Sequence, residues 1–178
     1  LFMEKGVFSK VMLENGPLLY KKYLHCKEEF FYGLKKNIRK NLLIRPHGVT
    51  HIDKTYREIE RWKLLDNNIQ INKPSVTLKK SISTSRMVVC FYHGTSFLEM
   101  LAANIPVVCY LDGLNAMNKH GKESYEILIK AGVCHTSIST LVDVVNYNWE
   151  DCISWWESEK VQSARSNFCS KHLKTSNN

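Results

Sequence analysis

Two runs constrain the fold more than any others: "MVVCFY", residues 87–92, and "PVVCY", residues 106–110. Neither alternates apolar with polar residues, so neither reads as a strand with one wet face. Short, continuously apolar runs bounded by turn residues are the pattern of strands covered on both faces, as in a parallel sheet between helices. Shorter runs repeat the theme at "NLLIR" (41–45), "IQINK" (69–73) and "VCH" (133–135). Successive strands are separated by roughly 15 to 20 residues, enough for a crossover helix but too many for a hairpin. The expected fold is therefore α/β, a doubly wound parallel sheet of Rossmann-like type with extra C-terminal helices. No repeat, low-complexity linker or second domain is visible, so residues 1–178 are expected to form one domain.

The segments between the strands read as helices. Gly16-Pro17 punctuates the start of a basic helix, "YKKYLHCKEEFFYGLKKNIRKN", with Leu19, Tyr23, Phe30, Leu34 and Ile38 at helical spacing. "DKTYREIERWKLLDNN" follows, with Tyr56, Ile59 and Trp62 on one face. Ser75 is placed to cap a short helix with Leu78 and Ile82 inward. "SFLEMLAAN" and "STLVDVVN" are helical, as is "NKHGKESYEILIKAG", where Gly132 suits the terminating position. Residues 148–171 read as two further helices.

The formal net charge of +8 favours an anionic partner or simply a solvated basic surface. The six cysteines are scattered without a Cys-x-x-Cys pair, which supports neither a zinc site nor a disulfide framework and points to a reducing, cytoplasmic setting. No run of about 18 apolar residues is free of polar groups, so no transmembrane helix is expected. The opening "LFMEKGVFSK" lacks the pattern of a signal peptide, and a chain starting on Leu is expected to be a fragment.

The apolar stretch 88–110 holds a polar knot: His93, Gly94, Thr95, Ser96, Glu99 and Asn104. In an open parallel sheet, ligands bind where strands end and helices begin. A helix N-terminus offers free N–H groups and the positive end of the dipole, which suits a phosphate. Gly94 would let the backbone approach closely, and Thr95 and Ser96 would add hydroxyls. The competing reading is a capping box, Ser96-x-x-Glu99, in which each side chain satisfies the other residue's N–H. Because only Glu99 and Asn104 are polar between Phe97 and Ile105, this helix is expected to be buried nearly all round, where a lone Glu is costly. Both readings stay open. The turn is neither a Walker loop, nor a Gly-x-Gly-x-x-Gly dinucleotide loop, nor a Gly-x-Ser-x-Gly elbow. Among other residues, Arg45 ends a strand at the ligand edge and is a candidate for a phosphate. His47 and His51 are weaker candidates, and Glu123 and Tyr125 are placed near a sugar site. Trp155-Trp156 is expected to pack on the core rather than to stack on a base.

"GTSFLEMLAANIPVV" resembles the strand-helix-strand of the C-terminal, donor-binding domain of GT-B glycosyltransferases. "LLIRPHG", "ERW", "YEILIKAGVCHTSIS" and "WEDCISWWESEKVQSARSNFCSKH" narrow the likeness. Together they resemble transferases of bacterial surface-carbohydrate (lipopolysaccharide and capsule) loci, from about Phe30 to His172. Trp155-Trp156 followed by Gln162, Arg165 and Phe168 is the most family-specific part. The family's Arg-x-Tyr-Pro-x-Asp after the first strand is replaced here by "RPHGVTHID", which keeps Arg45 and shifts the Asp to Asp53.

The resemblance implies a donor-binding half that holds a nucleotide-activated sugar through Arg45, His93, Gly94, Thr95 and Ser96, with Glu99 at the ribose. It implies no metal and no cofactor, and it leaves the catalytic residues unassigned. The saccharide or lipid-linked acceptor would be held by an N-terminal domain that this chain lacks, so the isolated chain is expected to be inactive. A cytoplasmic protein follows, with peripheral contact with the inner membrane left open and nucleic acid not expected as a partner. The alternative is a non-catalytic basic α/β module for nucleic acid or an acidic surface. Against it, the basic density lies in the first helix while the aromatic tail carries Glu150, Asp151, Glu157 and Glu159.

Overall fold

The computed structural model describes residues 2–3, 12–46, 57–73 and 75–173. Six strands form one parallel sheet: β1 (Phe2–Met3), β2 (Leu43–Arg45), β3 (Gln70–Ile71), β4 (Val88–Cys90), β5 (Val107–Tyr110) and β6 (Cys134–His135). Their order is β3-β2-β1-β4-β5-β6, the order of Rossmann-like sheets. Nine helices are described: α1 (Met12–Gly33), α2 (Lys36–Arg39), α3 (Glu58–Leu65), α4 (Leu78–Ser83), α5 (Thr95–Ala102), α6 (Lys119–Ala131), α7 (Ile138–Asn148), α8 (Cys152–Glu157) and α9 (Glu159–His172). Register places Arg45, Met3, Cys90, Cys109 and Cys134 in one row across β2, β1, β4, β5 and β6.

Alternate residues of the central strands feed two separate cores. Val89 and Val108 join Phe30, Trp62 and Leu141 on the face covered by α1, α3 and α7. Val88, Cys90, Val107 and Cys109 join Phe97, Leu101 and Leu128 on the face covered by α5 and α6, with α9 packed outside. Both β4 and β5 are buried at every position, as their continuous apolar runs require. Fully burying a side chain such as Phe97 or Leu101 stabilises by about 1.5–3 kcal/mol. The cysteines within these strands are free thiols, and burial pushes those of Cys90 and Cys109 well up, so they act as small hydrophobes.

Several local expectations are corrected. The short strand β1 was not anticipated, yet it occupies the middle of the sheet. The first helix starts at Met12, so its backbone runs through Gly16 and Pro17 instead of starting after them. It also ends at Gly33, and the basic segment continues as a separate turn, α2. Thr77, not Ser75, caps α4, its Oγ1 accepting from the Lys80 N–H at 3.2 Å. Gly132 does end α6, in the left-handed conformation (φ 80°) that glycine adopts without strain.

The tail joins the two faces. Cys152 of α8 belongs to one core and Trp156 to the other, so α8 crosses beneath the N-terminal edge of the sheet. From there the tail closes the C-terminus of α5. Trp156 Nε1 donates to the backbone carbonyl of Asn104 (3.2 Å) and to its side-chain Oδ1 (3.0 Å). Gln162 Nε2 donates to the same Oδ1 (3.1 Å), and Arg165 Nη1 donates to the Leu101 carbonyl (2.9 Å). Asn104 itself turns the chain at φ 54°, a left-handed position that Asn tolerates. The last carbonyls of a helix have no internal partner, and a cation there also meets the negative end of the dipole. Arg165→Met keeps much of the aliphatic packing but removes these donors. It is expected to lower unfolding free energy by about 1–3 kcal/mol in urea melts; an unchanged midpoint would show that solvent replaces the contact at no cost.

Candidate functional site

The site is built where β4 delivers the chain to α5. In the 3-2-1-4-5-6 order, β1 and β4 are neighbours whose following helices leave on opposite faces, α1 with one core and α5 with the other. Such a reversal leaves a crevice at the C-terminal ends of the two strands. Residues 91–94 span the gap from β4 to α5.

Gly94 is the N-cap of α5, with extended backbone (φ −88°, ψ −169°), and no side chain bonds to the cap. The first helical bond runs from the Leu98 N–H to the Gly94 carbonyl (3.2 Å). The capping box is thus not formed, because Ser96 lies inside the helix rather than at its cap. By contrast, Thr77, Asn118 and Ser137 each cap α4, α6 and α7 with a side-chain oxygen. The N–H groups of the first turn of α5 receive no such acceptor, and the Thr95 and Ser96 side chains stand beside them.

Glu99 sits one turn further along and is exposed, as are Thr95, Ala102 and Ala103. Only Phe97, Met100 and Leu101 of α5 are buried. This corrects the expectation of a helix enclosed on all sides: Glu99 carries no burial cost and faces water four residues after Thr95.

The requirement for glycine at 94 comes first from a neighbour. A Cβ built there would lie 1.9 Å from Cε2 of the Tyr92 ring. His93 is half-buried and meets Tyr125 edge to face, with ring centroids 5.4 Å apart. Tyr125 continues onto Phe168 (5.1 Å) and Phe168 onto His172 (4.7 Å), a column from the β4 turn to the end of α9. Burial pushes the Tyr125 hydroxyl well up, so it stays protonated. Glu123, its near neighbour in sequence, is exposed beside Lys119 (3.9 Å) and His120 (4.0 Å).

Arg45 stands apart from this cluster. It ends β2, with β1 between it and β4, so its backbone is about 10 Å to the side. Its Nη1 donates to the Val76 carbonyl (2.9 Å) and the Ser81 Oγ (3.3 Å). Ser81 Oγ also accepts from Asn72 Nδ2, which ties α4 to the ends of β2 and β3. His47, His51 and Asp53 lie outside the described residues. Tyr125 was expected near the sugar site and meets His93, whereas the contacts of Tyr92 with Gly94 and of Phe168 with Tyr125 were not anticipated from the sequence.

Away from the turn, a cavity of about 360 Å³ is lined by Leu43, Gln70, Thr84 and Arg86 at the opposite edge of the sheet. Another, of about 800 Å³, flanks β6 between α6 and α7 and includes His135, Thr136, Asp143 and Tyr147. Among the described residues, no cluster of three His, Cys, Asp or Glu side chains is arranged to hold a metal ion. No described helix is long and apolar enough to cross a membrane.

The fold and this edge define the class: a parallel, Rossmann-like α/β protein in which a helix N-terminus without a side-chain cap stands at the C-terminal edge of the sheet. Within that class the chain belongs to the LIC12162 family transferases, whose family model matches residues 5–178. No curated protein and no solved structure matches it.

Two measurements test this local reading. Gly94→Ala is expected to cost about 1–3 kcal/mol by overpacking against Tyr92, and a second change, Tyr92→Ala, is expected to recover most of that loss. Equal loss in the single and double variants would mean that the glycine answers to something other than the ring. At the end of β6, His135 is buried and its Nε2 donates to the Gly132 carbonyl (3.0 Å). Burial holds its pKa below the ordinary value, and the Gly132 bond only partly opposes this. The folded state therefore favours neutral His135. Its contribution is complete above about pH 6.5 and is lost as pH falls from there through the lowered folded value. The melting temperature of His135→Gln should fall less than that of the native chain over this window; parallel curves would refute the assignment.

Proposed function

We propose that this chain is the donor-binding half of a GT-B-like transferase, holding a nucleotide-activated sugar at the turn between β4 and α5. The observation that carries the reading is the N-terminus of α5. It has Gly94 at its cap, no side-chain cap, two hydroxyls in its first turn and an exposed carboxylate one turn on. The sheet order and the membership in a transferase family support the same reading. The likeness to surface-carbohydrate transferases suggests a saccharide or lipid-linked acceptor, held by a further domain.

The chemistry follows from the parts. Free N–H groups and the helix dipole would stabilise the negative charge on the donor diphosphate. The same charge grows as the diphosphate departs, so a fixed helix end aimed at it would lower the barrier without reorganising. Thr95 and Ser96 would donate hydroxyl bonds to phosphate oxygens. Glu99, exposed on α5, would accept from the two ribose hydroxyls. Arg45 Nη1 is engaged by Val76 and Ser81, so only the other edge of its guanidinium is available to a phosphate. His93, held by Tyr125, would be a lesser contact.

A thermal-shift panel of nucleoside mono- and diphosphates tests the reading, because a ligand bound only by the folded state raises the melting temperature. At least one nucleotide should do so, with the effect weakening as salt rises. Glu99→Gln is expected to keep the ligand-free melting temperature, since no capping box depends on it. Nucleotide affinity should drop about tenfold or more, the loss of a hydrogen bond to a charged acceptor. A panel without any shift, or a Glu99→Gln variant that binds as the native chain does, would remove the support for this site.

A further inference from the structure

The edge of the sheet opposite the β4–α5 turn gathers a different set of residues. Helices that follow parallel strands end at that edge. The α1–α2 junction there carries "KKNIRK", residues 35–40, with four cations in six positions and only Ile38 buried. Asn146 in the last turn of α7 staples this junction: its Nδ2 donates to the Gly33 carbonyl (2.9 Å) and its Oδ1 accepts from the Lys35 N–H (2.8 Å). Tyr32 and Tyr147 are each next in sequence to a bonded residue of this staple. They are 60% and 86% exposed.

Among the described residues no carboxylate pairs with Lys36, Arg39 or Lys40. Arg39 lies over the Phe31 ring at 5.5 Å. Glu150, the acid bonded to this segment, meets Asn37 (3.4 Å) and Arg86 (3.8 Å). Further along, α8 brings exposed Asp151 and Glu157, so the basic patch stops at α2 and excludes Ile153.

We infer that the α1–α2 junction and the last turn of α7 form a docking surface for an anionic membrane, with Lys36, Arg39 and Lys40 at the lipid phosphates and Tyr32 and Tyr147 in the headgroup layer. Charge complementarity selects the partner. Clustered Lys and Arg near a bilayer are attracted to anionic lipid. A Tyr ring, apolar along its body and polar at its tip, suits the headgroup level. Lys outnumbers Arg three to one in this run, which favours diffuse attraction to many phosphates over forked recognition of one. The protein would lie on the surface without spanning it, and the β4–α5 edge would face away from the lipid. This inference does not rest on the nucleotide reading.

The test is flotation of the 178-residue chain with vesicles of phosphatidylcholine mixed with phosphatidylglycerol, against phosphatidylcholine alone. The chain should float with the anionic vesicles only, and less as salt rises. The double variant Lys36→Glu and Lys40→Glu, at two exposed positions, should lose about tenfold or more of that affinity while its melting temperature holds. A Tyr32→Ser, Tyr147→Ser variant should weaken binding even with all cations present. No binding to anionic vesicles at low salt overturns the proposal. So does binding that both variants retain. Binding of single-stranded nucleic acid that the lysine variant abolishes, with no vesicle binding, would assign the patch to nucleic acid and overturn it equally.

Discussion

The arrangement at the C-terminal end of α5 holds the rest of the structure in place. Helix α5 closes most of its last carbonyls with the backbone that follows it: the N–H groups of Ala103, Ile105 and Asn104 donate to Glu99, Met100 and Leu101. Arg165 adds a second donor at the Leu101 carbonyl, while Trp156 and Gln162 hold Asn104, and all three come from the tail. To reach them the chain must leave α7 on one face, pass beneath the sheet as α8 and climb the other face as α9. These contacts tie the tail to the turn that follows α5. They also explain why the tail pattern of Trp155-Trp156, Gln162, Arg165 and Phe168 is so distinctive: these residues build the scaffold around α5.

The two ends of α5 are treated in opposite ways. Its C-terminus is closed by three side chains and a left-handed Asn104. Its N-terminus opens on a glycine with no side-chain cap, while α4, α6 and α7 each spend a Thr, Asn or Ser on theirs. On the proposed reading, a helix fixed at its rear and open at its front would have its dipole and N–H groups oriented before a ligand arrives, the preorganisation that makes fixed dipoles effective toward developing charge. The column from His93 through Tyr125 and Phe168 to His172 braces the same turn from α6 and α9.

Much of this was legible in the sequence, because continuous apolar runs and helical spacing are local signals. The runs at 87–92 and 106–110 contain β4 and β5, and Gly132 ends α6 as its position suggested. The failures have definite causes. Strand β1 is two residues long, and its place at the sheet centre is set by pairing with β2 and β4, which no local pattern encodes. Ser96-x-x-Glu99 has the spacing of a capping box, but the helix begins two residues earlier than that box requires, so the cap falls on Gly94. The exposure of Glu99 was hidden by Ala102 and Ala103, which count as apolar yet lie on the wet side of α5. Alanine adds little to burial and so cannot reveal which way a helix faces. Arg45 ended a strand at the ligand edge as expected, but its engagement with Val76 and Ser81 depends on how α4 packs.

The most distinctive residues of the tail and the residues best placed for chemistry are therefore different sets. The tail residues are constrained by geometry: an indole N–H and an amide converge on Asn104, and a guanidinium reaches the Leu101 carbonyl. The front of α5 is constrained less by identity than by what must be absent, namely a capping oxygen and a Cβ at 94. A likeness resting on the tail therefore identifies the scaffold firmly while saying little about the ligand. Membership in a transferase family and the choice of donor are accordingly separate questions. The first rests on the family model that matches residues 5–178. On the proposed reading, the second would depend on the groups around Gly94, Thr95, Ser96 and Glu99, of which Thr95 and Glu99 are exposed.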